Sequence, residues 1–144
     1  MINIDLGTLI DKPIKDVFAF AANPNNMPKW NSAVASLEQI TPGAVGVGSK
    51  FKSKAELMGR SIEGEMQVIA YEPDTKCGFQ VHAGPMQVNL TLSFKTVGTG
   101  TKISLNAQGN PAGFFKLAEG VMAGRVKSMM EENLARLKTQ LEKA

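Results

Sequence analysis

Apolar and polar residues alternate along most of the chain, and this pattern predicts strands that each bury one face. The clearest case runs from Met86 to Lys95, where every second residue is apolar. The same alternation predicts six further strands, at 2–10, 32–40, 49–57, 61–72, 77–83 and 101–109. Their short, even spacing and tight turns favour a single antiparallel meander.

Helical patterns are predicted at two places. Between the first two strands, Asp11 is predicted to cap a short helix that has Pro13 in its first turn, and Asn23 to cap a second one that begins at Pro24. A long helix is predicted from about Gly113 to Glu142, because apolar residues recur there at helical spacing. They are Phe115, Met122, Val126, Met129, Met130, Leu134, Leu137 and Leu141. Gly120 and Gly124 predict a bend or a change of phase in this helix.

Length and composition favour one ordinary soluble domain that spans residues 1–144. The net charge is +3, and the basic residues are mixed with acidic ones, so no nucleic-acid partner is expected. A single cysteine, Cys77, excludes an internal disulfide and a multi-cysteine metal site, and it fits a reducing, cytoplasmic location. No apolar stretch approaches the roughly 20 residues that a membrane span needs, so membrane insertion is not expected.

The inward-facing positions predict a pocket. One helix cannot cover the concave face of a seven-stranded sheet, and several residues predicted to face it are small or flexible. These are Ser53, Ala55, Gly64 and Ala107, beside Met66, Met86, Met122 and Met129. The expected occupant is a small hydrophobic molecule held between sheet and helix, with no cofactor and no metal.

Several motifs resemble those of a known superfamily. The segment DKPIKDVFAFAANPNNMPKW is similar to its pattern for the two short helices. GVGSKF, YEPD, GTGTKIS and LARLKTQLE follow in the matching order. From Ile4 to Glu142 the chain therefore resembles the START-like, Bet v 1-like (SRPBCC) superfamily, in its polyketide cyclase/dehydrase-type branch. The resemblance implies an α+β helix-grip fold: a seven-stranded curved antiparallel sheet wrapped around a long C-terminal helix, with two short helices after the first strand.

The resemblance also places Trp30 near the cavity mouth. There, Trp30 and Met27 either line or gate the pocket, or Trp30 plugs the end of the core. The full set of residues predicted to contact the ligand is Met27, Trp30, Phe51, Ser53, Ala55, Met66, Val68, Phe79, Val81, Met86, Val88, Leu90, Phe115, Met122, Val126 and Met129.

Four residues are candidates for acid–base or polar roles: Glu119, His82, Arg125 and Tyr71. Alternation places His82 on the outer face unless a bulge turns it inward. Glu119 falls on the apolar stripe of the long helix unless Gly120 shifts the phase and sends it to water. Arg125 lies at the edge of that stripe, and Tyr71 has a hydroxyl that a ligand can use. The segment GAVGVGSK resembles a phosphate-binding loop, but its Gly-Ser-Lys order and the strand after it predict a hairpin loop instead.

Three functions remain open at this point. The first is binding of a small hydrophobic or aromatic ligand, lipid-like or polyketide-like. The second is a polyketide cyclase/dehydratase-like enzyme that uses the same cavity. The third is a protein-interaction module of the Hsp90-activator kind, with Leu117 and Val121 as its exposed patch. The oligomeric state is left open.

Overall fold

The computed structural model describes residues 2–32, 34–57, 60–83, 86–110 and 119–143. Seven strands form one sheet: β1 (Ile2–Ile10), β2 (Val34–Gln39), β3 (Lys50–Leu57), β4 (Arg60–Glu72), β5 (Lys76–Ala83), β6 (Met86–Val97) and β7 (Gly100–Asn110). The helices are α1 (Ile14–Ala21), α2 (Met27–Trp30) directly after a 3₁₀ turn at Pro24–Asn26, and the long α3 (Glu119–Lys143). The predicted order of elements is confirmed.

The sheet has the order β1-β7-β6-β5-β4-β3-β2, and every neighbouring pair is antiparallel. Strands β2 to β7 form the predicted meander, and β1 joins it on the far side of β7. A long C-terminal helix and two short helices after β1 complete the predicted helix-grip fold.

The two short helices start differently. Asn23 caps the 3₁₀ turn as predicted, because its side-chain oxygen accepts from the backbone N–H of Asn25 at 3.0 Å. The prediction for Asp11 is wrong: α1 begins at Ile14, and its N-cap is Pro13, which makes no side-chain capping bond. Two residues separate Asp11 from the first turn, so its side chain is too early in the chain to cap it.

Asp11 instead connects the start of α1 to the end of α3. Its backbone N–H donates to Oε2 of Glu142 at 2.8 Å, and Lys138 donates to the same oxygen at 2.9 Å. The Asp11 amide, and after it the Lys138 ammonium, lower the pKa of Glu142 because both stabilise the carboxylate. Lys138 also donates to the carbonyl of Leu9. The last turns of α3 are therefore fixed beside the end of β1.

A bulge in β4 reverses the faces that simple alternation predicts beyond Val68. The register shifts between Val68 and Ala70, and 42% of the Ile69 side chain is exposed. Tyr71 then pairs with buried Cys77 and faces inward, where its ring meets Phe18 edge-on at 5.3 Å between centroids. The extra residue thus moves an aromatic side chain from the predicted polar face into the core.

Helix α3 continues through Gly124 without interruption, and this position is exposed. A methyl group added there would meet nothing within 4 Å. We therefore expect Gly124→Ala to raise the free energy of unfolding by about 0.5–1 kcal/mol, since alanine loses less backbone entropy in a helix. Urea denaturation would measure the gain. Gly100→Ala is the contrasting control, because its Cβ would lie 2.7 Å from the carbonyl oxygen of Ile10 and should destabilise the protein. A loss of stability in Gly124→Ala would contradict the expectation.

Candidate functional site

The strand register brings the predicted ligand-contacting residues of the sheet into adjacent rows on its inner face. One row runs across four strands through Val68, Phe79, Leu90 and Ala107. The next row runs through Phe51, Met66, Val81 and Val88. Beyond it, Ser53 pairs with Gly64. The inner face is thus continuous from β3 to β7. Its side chains are smaller toward the end where Ser53 and Gly64 lie.

Six of the residues predicted to contact the ligand are almost completely buried in this structure. Trp30, Phe51, Val68 and Phe79 have 0% exposure, Met66 1% and Met27 2%. A side chain without accessible surface borders neither solvent nor a void large enough for a water molecule. Trp30 therefore plugs the core here, and it does not border open space. Contact between these six residues and a ligand stays a prediction, and it requires the core to open beside them.

Four other predicted contacts retain accessible surface. Val81 and Val88 on β5 and β6, and Val126 and Met129 on α3, are half-buried. Val81, Val126 and Met129 also pack against the buried core. These four residues form what we call the open end of the inner face.

The position of α3 along β1 places these residues at a common level. Lys138 contacts Leu9 and Glu142 contacts Asp11, so α3 runs along β1 in the same direction. At about 1.5 Å per helical residue, Val126 lies roughly 18 Å before Lys138. At about 3.3 Å per strand residue, the same distance along β1 leads back from Leu9 to about Ile4. Ile4 pairs with Ala107, one row from Val88, so Val126 lies at about the same level along the strand direction as the strand residues of the open end.

Within the described part of the chain, two buried polar atoms near the inner face have no hydrogen-bond partner: Oγ of Ser53 and Nε1 of Trp30. Ser53 lies on β3, opposite Leu37 of β2, and α2, which ends with Trp30, packs against β2. Both atoms therefore belong to the β2–β3 side of the fold. A third such atom, Oδ1 of Asn89, lies on the outer face, since Asn89 alternates with inward-facing Val88 and Leu90. Buried polar groups without partners are uncommon in folded proteins and call for an explanation.

A polar cluster joins α3 to the segment that follows Trp30. Asn133 is fully buried, and its Oδ1 accepts from both the N–H and the hydroxyl of Ser32 at 3.1 Å. Its Nδ2 donates to Oδ1 of Asn31 at 2.9 Å. Arg136 donates both to Asn133 and to the carbonyl of Trp30, each at 3.1 Å. Sequence reasoning did not identify Asn133, although it lies four residues from both Met129 and Leu137 on the apolar stripe.

The four acid–base candidates are not brought together. His82 is exposed on the outer face, where its Nε2 lies 3.1 Å from Oε1 of Gln80, and no bulge turns it inward. Arg125 is exposed as well. Both side chains are exposed in this structure, and a role for either in binding or catalysis stays a prediction. Tyr71 faces inward but packs on Phe18. The side chain of Glu119 lies outside the described residues.

Four further predicted contacts also lie outside the described part: Phe115, and the side chains of Ala55, Met86 and Met122. Among the inward-facing side chains that the structure does describe, Cys77 is buried, and burial raises its pKa to about 12, so its thiol stays protonated at neutral pH. Within the described residues, no group of three His, Cys, Asp or Glu side chains is arranged to hold a metal ion.

The segment that resembles a phosphate-binding loop is a hairpin loop, as predicted. Gly43 and Gly48 adopt positive φ angles of 96° and 95°, and β3 follows at Lys50. Its amides are used within the fold: Gly46 donates to Oγ of Ser49 at 3.1 Å, and Gly48 donates to the carbonyl of Val68 at 2.9 Å.

The sequence matches the model of the family described as "Polyketide cyclase / dehydrase and lipid transport" over residues 1–142. The chain therefore belongs to this family, within the SRPBCC superfamily. A search of the curated proteins by sequence finds no match. No helix in the described part of the chain has the length and hydropathy required to cross a bilayer.

Solved structures with the same fold share little sequence. Ara h 8.0201 is 15% identical with a TM-score of 0.73, covering 99% of this chain and 98% of its own. A conserved protein from Geobacillus kaustophilus is 14% identical with a TM-score of 0.76, covering 98% and 95%. The protein TTHA0849 from Thermus thermophilus is 20% identical with a TM-score of 0.73, covering 98% and 94%. At these identities the likeness establishes the fold alone.

Proposed function

We propose that this member of the polyketide cyclase/dehydrase and lipid transport family binds a small hydrophobic molecule at the open end of its inner face. The guest lies between strands β5 and β6 on one side and α3 on the other. The observation that carries this proposal is the partial exposure of four large apolar side chains, Val81 and Val88 on the sheet and Val126 and Met129 on α3, with Val126 and Val88 at about the same level along the strands.

Burial of these side chains would supply the affinity. Removing apolar surface from water contributes about 25 cal/mol per Å², so roughly 450 Å² shared between guest and protein gives about 11 kcal/mol, and an association cost of about 4 kcal/mol leaves about 7 kcal/mol. The family description points the same way, because lipids and polyketides both present extended apolar surface. The proposed guest is therefore apolar over most of its length.

Binding is favoured over catalysis by the polar groups near the inner face. The described ones are the hydroxyls of Ser53 and Tyr71 and the indole N–H of Trp30, and the thiol of Cys77 is held protonated by burial. A cyclase/dehydratase-like reaction in the same space would need a group that transfers protons, and Glu119 is the remaining candidate for it. The interaction patch proposed at Leu117 and Val121 lies outside the described residues.

A direct titration tests the proposal. N-phenyl-1-naphthylamine is an uncharged apolar dye whose fluorescence rises when it leaves water. We expect saturable one-to-one binding with a dissociation constant on the order of 1–10 μM, equivalent to about −8 to −7 kcal/mol. A linear, unsaturable response up to the solubility limit of the dye, with no response to competing hydrocarbons, would refute binding at this site.

A further inference from the structure

The hydroxyl of Ser53 is buried without a hydrogen-bond partner, although the residue as a whole keeps 5% of its surface accessible. The remaining accessible surface belongs to other atoms of Ser53, because Oγ has almost none. Since no hydrogen bond among the described residues holds the hydroxyl in place, a rotamer change about the Cα–Cβ bond can redirect it toward the neighbouring row of Met66 and Val81 on the inner face. Its cross-strand neighbour on the inner face is Gly64, which has no side chain to block the movement.

A second serine close in the chain shows what an ordinary buried hydroxyl does here. Ser49 is 8% exposed, and its Oγ accepts a hydrogen bond from the backbone N–H of Gly46 at 3.1 Å. The hydroxyl of Ser49 thus stabilises the loop before β3. The hydroxyl of Ser53 has no hydrogen-bond partner among the described residues and so contributes no hydrogen bond to the fold that they form.

Among the described residues, no charged side chain is buried on the inner face beside Ser53. The buried polar residues of the described chain are Asn31, Ser49, Ser53, Thr101 and Asn133, and none of them is ionisable. The lysines beside Ser53 in sequence, Lys52 and Lys54, are exposed on the opposite face of β3. A carboxylate that entered this space would lose its water without meeting a cation, which is strongly unfavourable.

We infer that the ligand carries an uncharged hydrogen-bond acceptor, such as a ketone or ester carbonyl, and that the hydroxyl of Ser53 donates to it. This rests on the proposed binding function and narrows it from any apolar molecule to neutral, oxygen-bearing ones. Ser53 determines specificity: it selects a carbonyl over a methylene of the same shape, and the uncharged surroundings exclude free acids. Trp30 is not assigned this role. Its side chain has 0% exposure, so its Nε1 borders no open space.

Three naphthalenes of similar size test the inference by competition against N-phenyl-1-naphthylamine. They are 2-acetylnaphthalene, 2-ethylnaphthalene and 2-naphthoic acid, which differ at one substituent. We expect the ketone to bind about 5- to 10-fold more tightly than the ethyl compound, and the acid at pH 7 to bind more weakly than either. In Ser53→Ala the ketone should lose its advantage over the ethyl compound.

Stability measurements separate this role from a structural one. Ser53→Ala should leave the urea midpoint unchanged or slightly raised, because it removes a hydroxyl that has no partner. Ser49→Ala, the matched control, should lower the midpoint and leave the ketone preference intact. If the dye binds but the ketone has no advantage, or keeps it in Ser53→Ala, the inference is wrong and the proposed function stands. If neither the dye nor any naphthalene binds, both are wrong.

Discussion

Replacing Asn133 with alanine is expected to lower the free energy of unfolding by about 2–3 kcal/mol, a large fraction of the stability of a domain this size. The side chain is fully buried and takes part in four hydrogen bonds, with Ser32 twice, Asn31 and Arg136. Truncation removes all four and leaves a gap between α3 and the segment after Trp30. Urea denaturation followed by circular dichroism measures the change.

A second asparagine provides the control for this prediction. Asn106 donates to Asn3 at 2.9 Å and to Asp5 at 2.7 Å, but on the solvent-exposed face of the sheet. Water replaces its partners there, so Asn106→Ala should cost less than about 1 kcal/mol. Equal losses in the two variants would show that burial does not decide the contribution of Asn133, and the assigned role would then be wrong.

The hydrogen bonds of Asn133 and Arg136 also affect the position of Trp30. Asn133 and Arg136 hold the backbone around Trp30 against α3, and Trp30 closes the core in this structure. Loosening that attachment gives Trp30 room to move, which is the movement that direct contact between Trp30 and a ligand would require.

Alternation predicted the sheet well because side chains in a strand point to opposite faces with a period of two residues. When one face of the sheet is buried, the apolar residues therefore show which side chains point inward. It failed at Tyr71 because a single extra residue at the β4 bulge reverses the faces beyond it. No local feature of the sequence marks that bulge. The two apolar neighbours Ile69 and Ala70, one of which must face outward, give only a hint of it.

The candidate site was predictable in composition but not in shape. The described strand residues that were predicted to face inward do share one face of the sheet. Which side chains are fully enclosed, as Phe51, Phe79 and Trp30 are, and which stay accessible, as Val81 and Met129 do, depends on how volumes fit across the whole fold. Asn133 was within reach of sequence reasoning. A polar residue in the middle of an apolar helical stripe is buried by its position, so it needs partners, and the asparagine-rich segment near Trp30 contains them.

Filling the open end should abolish binding without unfolding the protein. Met129 is half-buried on α3 and packs against the core from the side that faces the accessible space. In Met129→Trp the larger indole would occupy the volume proposed for the guest, and we expect the affinity for N-phenyl-1-naphthylamine to fall at least 10-fold, about 1.4 kcal/mol or more. Ser128→Trp, one residue earlier on an exposed position of the same helix, should bind the dye as the unmodified protein does. Circular dichroism establishes that both variants are folded. If a folded Met129→Trp protein binds with unchanged affinity, the guest lies elsewhere, and the assignment of the open end to ligand binding is wrong.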